Sequence, residues 1–165
     1  MAETLGSLVD KLTIKSIRTF HIKEATHAQQ RKRSSAELKR KLTIVEKQKS
    51  RLLDEIQSFI HLAAQGKVPL REEKFKLYNK PEIMGKVSNI KTIARAIEKL
   101  GQANIALWQL EDEARREDVD MAYIGKIKRK IDHVNQRRND LIDRIDELFE
   151  QRLRDISKRC RKKKT

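Results

Sequence analysis

The stretch IGKIKRKIDHVNQRRNDLIDRIDELFEQR, residues 124–152, carries a long helical repeat. Its apolar residues and two of its arginines fall alternately three and four positions apart: Ile124, Ile127, Ile131, Val134, Arg138, Leu141, Ile145, Leu148 and Arg152. This spacing is typical of a helix that packs along one seam. At 1.5 Å per residue the seam is about 42 Å long, so we expect partner helices of similar length elsewhere in the chain.

The N-terminal part of the chain contains two further stretches with helical spacing. The first follows Thr4, a suitable N-cap, and its apolar spacing fades beyond Ile22. The second follows Ser34 and Glu37, which have the spacing of a capping box, and Gly66 is expected to end it. Its predicted seam consists of Leu38, Leu42, Val45, Lys49, Leu52, Ile56, Phe59 and Ala63.

A third helix is predicted between the connection at residues 67–80 and a turn at residues 117–120. Asn79 is its expected N-cap, and Pro81 is tolerated in the first turn, where a missing N–H costs no hydrogen bond. Apolar residues continue to Trp108, and we expect this helix to end near Arg116. Asp120 is the predicted cap of the fourth helix, which contains residues 124–152 and runs to about residue 156.

These four helices predict an all-α fold. It is either an elongated antiparallel four-helix bundle or two long helical hairpins with coiled-coil-like packing. We expect residues 1–157 to form one domain and residues 158–165 to form a basic C-terminal tail. A homodimeric coiled coil is the alternative, because seams of this kind also pair between chains.

The composition agrees with long helices and points to anionic partners. Only 5 glycines and 2 prolines occur in 165 residues, too few for the turns of a sheet protein. The formal net charge of +15 would attract nucleic acid or acidic lipid over a wide surface. A single cysteine, Cys160, excludes an internal disulfide, and no apolar run is long enough for a transmembrane helix. We therefore expect a cytoplasmic protein.

Three segments resemble a known family. TLGSLVDKLTI at residues 4–14 precedes Phe20-His21, LWQLEDE lies at residues 107–113, and NQRRNDLI lies at residues 135–142. Together they resemble a bacterial all-helical family of unknown function, with the pattern TLGELVDRLSI, WH, LWxxED and NxxRNxxI. Ser7 replaces the carboxylate of that pattern, and Phe20 replaces its tryptophan.

The resemblance implies a helical protein encoded beside, or fused to, glycosyltransferases of surface-polysaccharide assembly, with no established chemistry. A glycosyltransferase or another envelope-assembly protein is then the expected partner. The polar and aromatic positions that match the family pattern are candidate binding residues: Asp10, His21, Trp108, Glu111, Asn135, Arg138 and Asn139.

Polar residues within the apolar seams add a second argument for some of these positions. Asn104, Trp108 and Glu111 share one face of the third helix, and Arg138 occupies the seam of the fourth. If these helices pair about their common turn, Asn104 and Glu111 approach the region of Asn135 and Arg138. Such a set either fixes helix register or forms a polar pocket for a phosphosugar or a partner side chain.

No catalytic motif is recognisable in the sequence, which favours a protein without enzymatic activity. Glu24 and His27 have the spacing of a di-iron ligand pair, but the second copy that such a site needs is absent, so neither a metal nor another cofactor is expected. The segment IDRID at residues 142–146, with Arg138 and Arg152 on either side, partly resembles the arginine-bearing helix of small all-helical chorismate mutases. That enzyme class is the third hypothesis, after an interaction protein and a nucleic-acid-binding protein.

The nucleic-acid hypothesis rests on basic clusters with few aromatic residues, which favours binding without sequence preference. One cluster lies at residues 31–51. The other is the predicted anion-binding tail: Lys158, Arg159, Arg161, Lys162, Lys163 and Lys164.

Overall fold

The computed structural model describes residues 3–28, 35–71 and 87–162. These residues form four long helices: α1 (Leu5–Ala28), α2 (Ser35–Ala64), α3 (Ile93–Ala114) and α4 (Met121–Lys162). No strand occurs among them, and the predicted all-α fold is confirmed. The predicted caps Ser34 and Asn79 lie outside the described residues.

The helices pack as two hairpins that share one core. α1 pairs with α2 and α3 pairs with α4, and α1 also packs against both helices of the second hairpin. The shared core contains Leu100 of α3 and Leu141 and Ile145 of α4, all fully buried. α2 reaches this core near its C-terminal end, where the rings of Phe59 and Phe149 lie 6.3 Å apart.

The seam of α4 is buried over most of its predicted length. Its buried members are Ile127, Ile131, Leu141, Ile145 and Leu148. Ile124, Val134 and Arg138 are half-buried, whereas Arg152 is exposed, so the predicted seam is wrong at its last position.

The predicted N-caps and the predicted helix-ending glycine are confirmed where the structure describes them. The Thr4 hydroxyl accepts a hydrogen bond from the Ser7 amide at 3.3 Å. The Asp120 carboxylate accepts one from the Tyr123 amide at 2.7 Å. Gly66 follows α2 with φ +69°, a conformation that glycine adopts at little cost.

The third helix does not run continuously as predicted, because the chain leaves helical geometry between Asn89 and Thr92. Thr92 is extended, and its hydroxyl accepts a hydrogen bond from the Arg95 amide, so it caps α3. The carbonyl oxygen of Ile90 accepts hydrogen bonds from Arg144 Nε and Nη2 of α4, at 2.9 and 2.7 Å. A tertiary contact thus satisfies a carbonyl that a continuous helix would have used internally.

Helices α1 and α4 each extend further towards their C-terminal ends than predicted. α1 continues past Ile22 to Ala28, and α4 continues past residue 156 to Lys162. The first part of the predicted basic tail, including the exposed Cys160, is therefore helical. Among the described helices, none combines the length and the apolar character needed to cross a membrane.

Gly6 allows the first turn of α1 to approach the backbone of α4. Its amide donates a 2.6 Å hydrogen bond to Oδ1 of Asp146, which is 3% exposed. A carboxylate is well placed there, because the first amides of a helix have no partners within the helix and carry partial positive charge. A Cβ atom on residue 6 would overlap the carbonyl oxygen of Ile142.

Replacing Gly6 should therefore separate α1 from α4. We predict that Gly6→Ala lowers the free energy of unfolding by about 1–3 kcal/mol, since the obstacle is backbone rather than a flexible side chain. Urea unfolding measures this change. Gly101→Ala is the matched control, because a Cβ on that residue of α3 meets nothing within 4 Å. It should raise stability by about 0.5–1 kcal/mol. A Gly6→Ala protein as stable as the wild type would contradict this close approach.

Candidate functional site

A buried carboxylate joins three helices near the middle of the molecule. Asp10 of α1 is 4% exposed, and its Oδ1 accepts hydrogen bonds from Arg138 Nε of α4 at 2.8 Å and Asn104 Nδ2 of α3 at 2.9 Å. Its Oδ2 accepts from Arg138 Nη2. The Asn104 amide also donates to the Thr13 hydroxyl at 2.7 Å, and that hydroxyl donates to the backbone carbonyl of Asp10.

This cluster fixes the charge and the direction of Arg138. The hydrogen bonds to Asp10 raise the pKa of the Arg138 guanidinium, against the opposing effect of burial. Arg138 is therefore a permanent cation. Its Nε and Nη2 atoms donate hydrogen bonds to the Asp10 carboxylate. Its third nitrogen, Nη1, has no hydrogen-bond acceptor among the described residues.

An aromatic stack lies along α1 and α3 beyond the buried cluster. The rings of His21 and Trp108 are nearly parallel, 9° apart, with centroids separated by 4.7 Å. Phe20, 58% exposed, meets His21 edge-on at 5.4 Å. His21 Nδ1 lies 3.2 Å from the Glu24 carboxylate, so one side of the imidazole is held. The stack fixes the orientation of the Trp108 indole.

A groove of about 320 Å³ opens between α1, α3 and the cluster, and we call it the Trp108 groove. Its apolar wall is formed by Ile14, Ile17, Leu107 and Trp108. Its polar lining consists of Arg18, Asn104, Glu111, Asp112, Arg115 and Arg138. A concave surface that combines an aromatic ring with a few polar groups has the general character of a binding site.

The charges in the groove are unevenly matched. Arg115 lies 3.0 Å from Asp112 and 4.0 Å from Glu111, so one guanidinium is shared between two carboxylates. Arg18 is exposed and makes no ion pair or hydrogen bond with any described residue. The groove that contains the Trp108 indole therefore also contains one cation without a carboxylate partner among the described residues.

Most of the predicted polar set converges on this region. Asp10, Asn104 and Arg138 form the cluster, Trp108 and Glu111 line the groove, and His21 supports Trp108. Asn135 is half-buried and Asn139 is exposed, and neither lines the groove. Lys158 and Arg159 are exposed near the end of α4, whereas the side chains of Arg161, Lys162, Lys163 and Lys164 lie outside the described residues.

Sequence reasoning missed Thr13, Arg18 and Arg115. A signal for Arg18 was available: it lies one helical turn after Ile14 and two turns after Asp10, on the same face of α1. Thr13 was not recoverable, because its role depends on where the Asn104 amide of another helix arrives.

The arginines of the segment that resembles a chorismate mutase do not converge on one site. Arg144 is used to hold the Ile90 carbonyl, and Arg152 is exposed, so neither shares the Trp108 groove with Arg138. Within residues 3–28, 35–71 and 87–162, no three His, Cys, Asp or Glu side chains are grouped as metal ligands.

The chain matches the protein-family model described as Protein of unknown function (DUF4254) over two stretches, residues 1–71 and 94–164. The chain belongs to the DUF4254 family. Both matched stretches contribute to the Trp108 groove, the first through α1 and the second through α3 and α4, so the groove is built from DUF4254 sequence. No curated protein and no solved structure matches the chain.

The buried ion pair should couple α1 to α4 strongly. We predict that Asp10→Ala lowers the free energy of unfolding by about 3 kcal/mol, because it leaves the Arg138 guanidinium without its carboxylate and removes one of the two acceptors of Asn104 Nδ2. In a double-mutant cycle with Arg138→Ala, the coupling should be about 1–3 kcal/mol. Denaturant unfolding of the four proteins measures it.

An exposed pair between helices provides the matched cycle. Lys23 and Glu46 lie 3.2 Å apart, and each side chain is about half exposed. Their coupling should be about 0.2–1 kcal/mol. Equal couplings in the two cycles would contradict the role assigned to Asp10.

Proposed function

We propose that this DUF4254 protein is a non-enzymatic interaction protein that holds a partner protein in the Trp108 groove. The observation that carries the proposal is the oriented Trp108 indole, which lines a groove beside the unpaired cation of Arg18. Tryptophan and arginine are enriched among the residues that dominate binding energy at protein interfaces. A fixed indole also loses little conformational entropy when a partner binds.

The polar groups behind the groove favour binding over catalysis. Asp10, Asn104 and Arg138 are engaged with one another rather than directed at a common reacting point. General acid–base catalysis needs a titrating group within hydrogen-bond reach of the proton that moves. The cluster is better suited to keep the groove in one shape.

The partner that we propose is a bacterial glycosyltransferase or another component of surface-polysaccharide assembly, and the proposed compartment is the cytoplasm. This step rests on the family resemblance of residues 4–14, 107–113 and 135–142. Membership of DUF4254, a family of unknown function, supports the resemblance.

The test is affinity capture from the source cells with three variants. We predict that Trp108→Ala and Arg18→Glu each lower recovery of a glycosyltransferase or envelope-assembly protein at least about tenfold, because each removes a central contact. Arg18 is exposed, so its replacement leaves the core intact. Quantitative mass spectrometry of the captured proteins measures the change.

Leu53→Ala is the matched control, since Leu53 is an exposed apolar residue of α2 that does not line the groove. It should retain the partner at the wild-type level. Recovery of the same proteins by all four forms, or recovery of no such partner by the wild type, would overturn the proposal.

Nucleic-acid binding is the second candidate, favoured by the net charge of +15 and by the exposed Lys158 and Arg159 on α4. It predicts binding of duplexes of unrelated sequence with equal affinity. That affinity should fall by about 1,000-fold between low and physiological salt, because neutralised phosphates release counterions. A gel shift without a retarded species at physiological salt would remove this candidate.

A chorismate mutase is the weakest of the three hypotheses. Its substrate would need several converging cations, and Arg144 is committed to the Ile90 carbonyl. A conversion assay with the purified protein is expected to give no rate above background.

A further inference from the structure

A second surface lies near the turn end of the hairpin of α3 and α4, and it is distinct from the Trp108 groove. It is a shallow groove of about 550 Å³ with a mostly apolar surface. Its floor is formed by Leu110 of α3 and by Ile127 and Val134 of α4. Tyr123 closes one end. We call this surface the basic groove, because four basic side chains form its rim: Lys126, Arg129, Lys130 and His133.

The rim carries uncompensated positive charge. All four rim residues are exposed, and none makes an ion pair or hydrogen bond with a described residue. Elsewhere on the surface, arginines and lysines commonly have carboxylate partners, as Arg154 has Glu150 and Lys23 has Glu46. The rim is therefore a concentration of charge that the described fold does not itself use.

The end of the basic groove is held in shape by local contacts. The Tyr123 hydroxyl donates a 2.8 Å hydrogen bond to Glu113, and the Arg116 guanidinium lies 5.8 Å from the centre of the Tyr123 ring. The hydrogen bond to Glu113 raises the pKa of Tyr123, while that of Glu113 is lowered. Glu113 also pairs with Arg116 at 3.2 Å, which leaves its charge largely compensated.

We propose that the basic groove binds an acidic amphipathic helix of a partner protein. Its apolar residues would cover the half-buried Leu110 and Val134, and its carboxylates would lie against the rim. The rim extends from residue 126 to residue 133, about 10 Å along α4, which corresponds to two turns of a docked helix. Charge complementarity of this kind sets partner choice and speeds association.

The apolar floor is the reason to favour a protein segment over other anions. Phosphate backbones are recognised by cations and hydrogen-bond donors and would leave the floor uncovered. A flat lipid surface would cover the rim but not a concave floor. An amphipathic helix in a groove satisfies both features at once.

The experiment uses the full-length protein and a fluorescent synthetic helix with a leucine face flanked by glutamates. Binding is followed by fluorescence anisotropy at physiological ionic strength. We expect saturable binding by the wild type and a loss of at least about tenfold in affinity for Lys126→Glu/Lys130→Glu. A scrambled peptide of the same composition, which has the same charge but no apolar face, should lose as much.

Lys128→Glu/Lys158→Glu is the control pair, because both lysines are exposed on α4 and do not line the groove, and the change in net charge is the same. It should retain binding to within about twofold. Trp108→Ala should also retain binding of the acidic helix, because Trp108 does not line the basic groove. The test of the basic groove is therefore independent of the test of the Trp108 groove. Circular dichroism verifies that each variant remains folded.

The proposal is overturned if the wild type shows no saturable binding or if the scrambled peptide binds equally well. It is also overturned if the control pair weakens binding as much as the rim pair. Tighter, rim-dependent binding of a DNA duplex, or of phosphatidylserine vesicles, would reassign the basic groove to nucleic acid or to lipid.

Discussion

The buried carboxylate of Asp10 is the constraint on which the arrangement of the two hairpins depends. A charge that is almost fully removed from water is tolerated only when it is paired and hydrogen-bonded. Asp10 belongs to the first hairpin, whereas Arg138 and Asn104 belong to the second. A docked arrangement that shifted α1 by one turn would leave Asp10 and Arg138 without partners, so the polar contact selects one register from several that apolar packing alone would allow.

The register of α1 against α3 and α4 also determines where the Trp108 groove forms. Once Asp10 is fixed, the helical rise of α1 carries Arg18 and His21 to the level of Trp108. At the other end of α1, Gly6 allows the first turn to lie against Ile142 and Asp146. Helix α1 therefore joins the two hairpins through a close backbone contact and a buried ion pair. It also places the exposed Arg18 in the groove that Trp108 lines. Binding residues supported in this way are held close to one geometry.

Sequence patterns predicted the four helices, although not the break before α3, and many of the polar residues that lie in the buried cluster or the Trp108 groove. Apolar spacing predicted the seam of α4, and the charged residue Arg138 at one seam position lies in the buried cluster. Family resemblance singled out Asp10, His21 and Trp108.

The spacing of residues within one helix does not predict which residues of distant segments will contact one another. Arg138 was predicted either to fix helix register or to line a polar pocket, but its partner Asp10 lies 128 residues away and was not predicted. At the break before α3, the Ile90 carbonyl accepts hydrogen bonds from Arg144 of another helix. Asn139 lies next to the seam in sequence and is exposed, and Arg152 has the spacing of the seam but is exposed as well.

The central claim is that the two hairpins form one cooperative unit through α1. Native-state amide hydrogen exchange tests it most directly, because it resolves the opening free energy of each helix. We expect amides around Asp10 in α1 and around Ile145 in α4 to exchange only through global unfolding, with the same free energy and the same dependence on denaturant. Exchange of the α1 amides at a much lower free energy than those of α4 would mean that the first hairpin opens by itself, and would contradict the account.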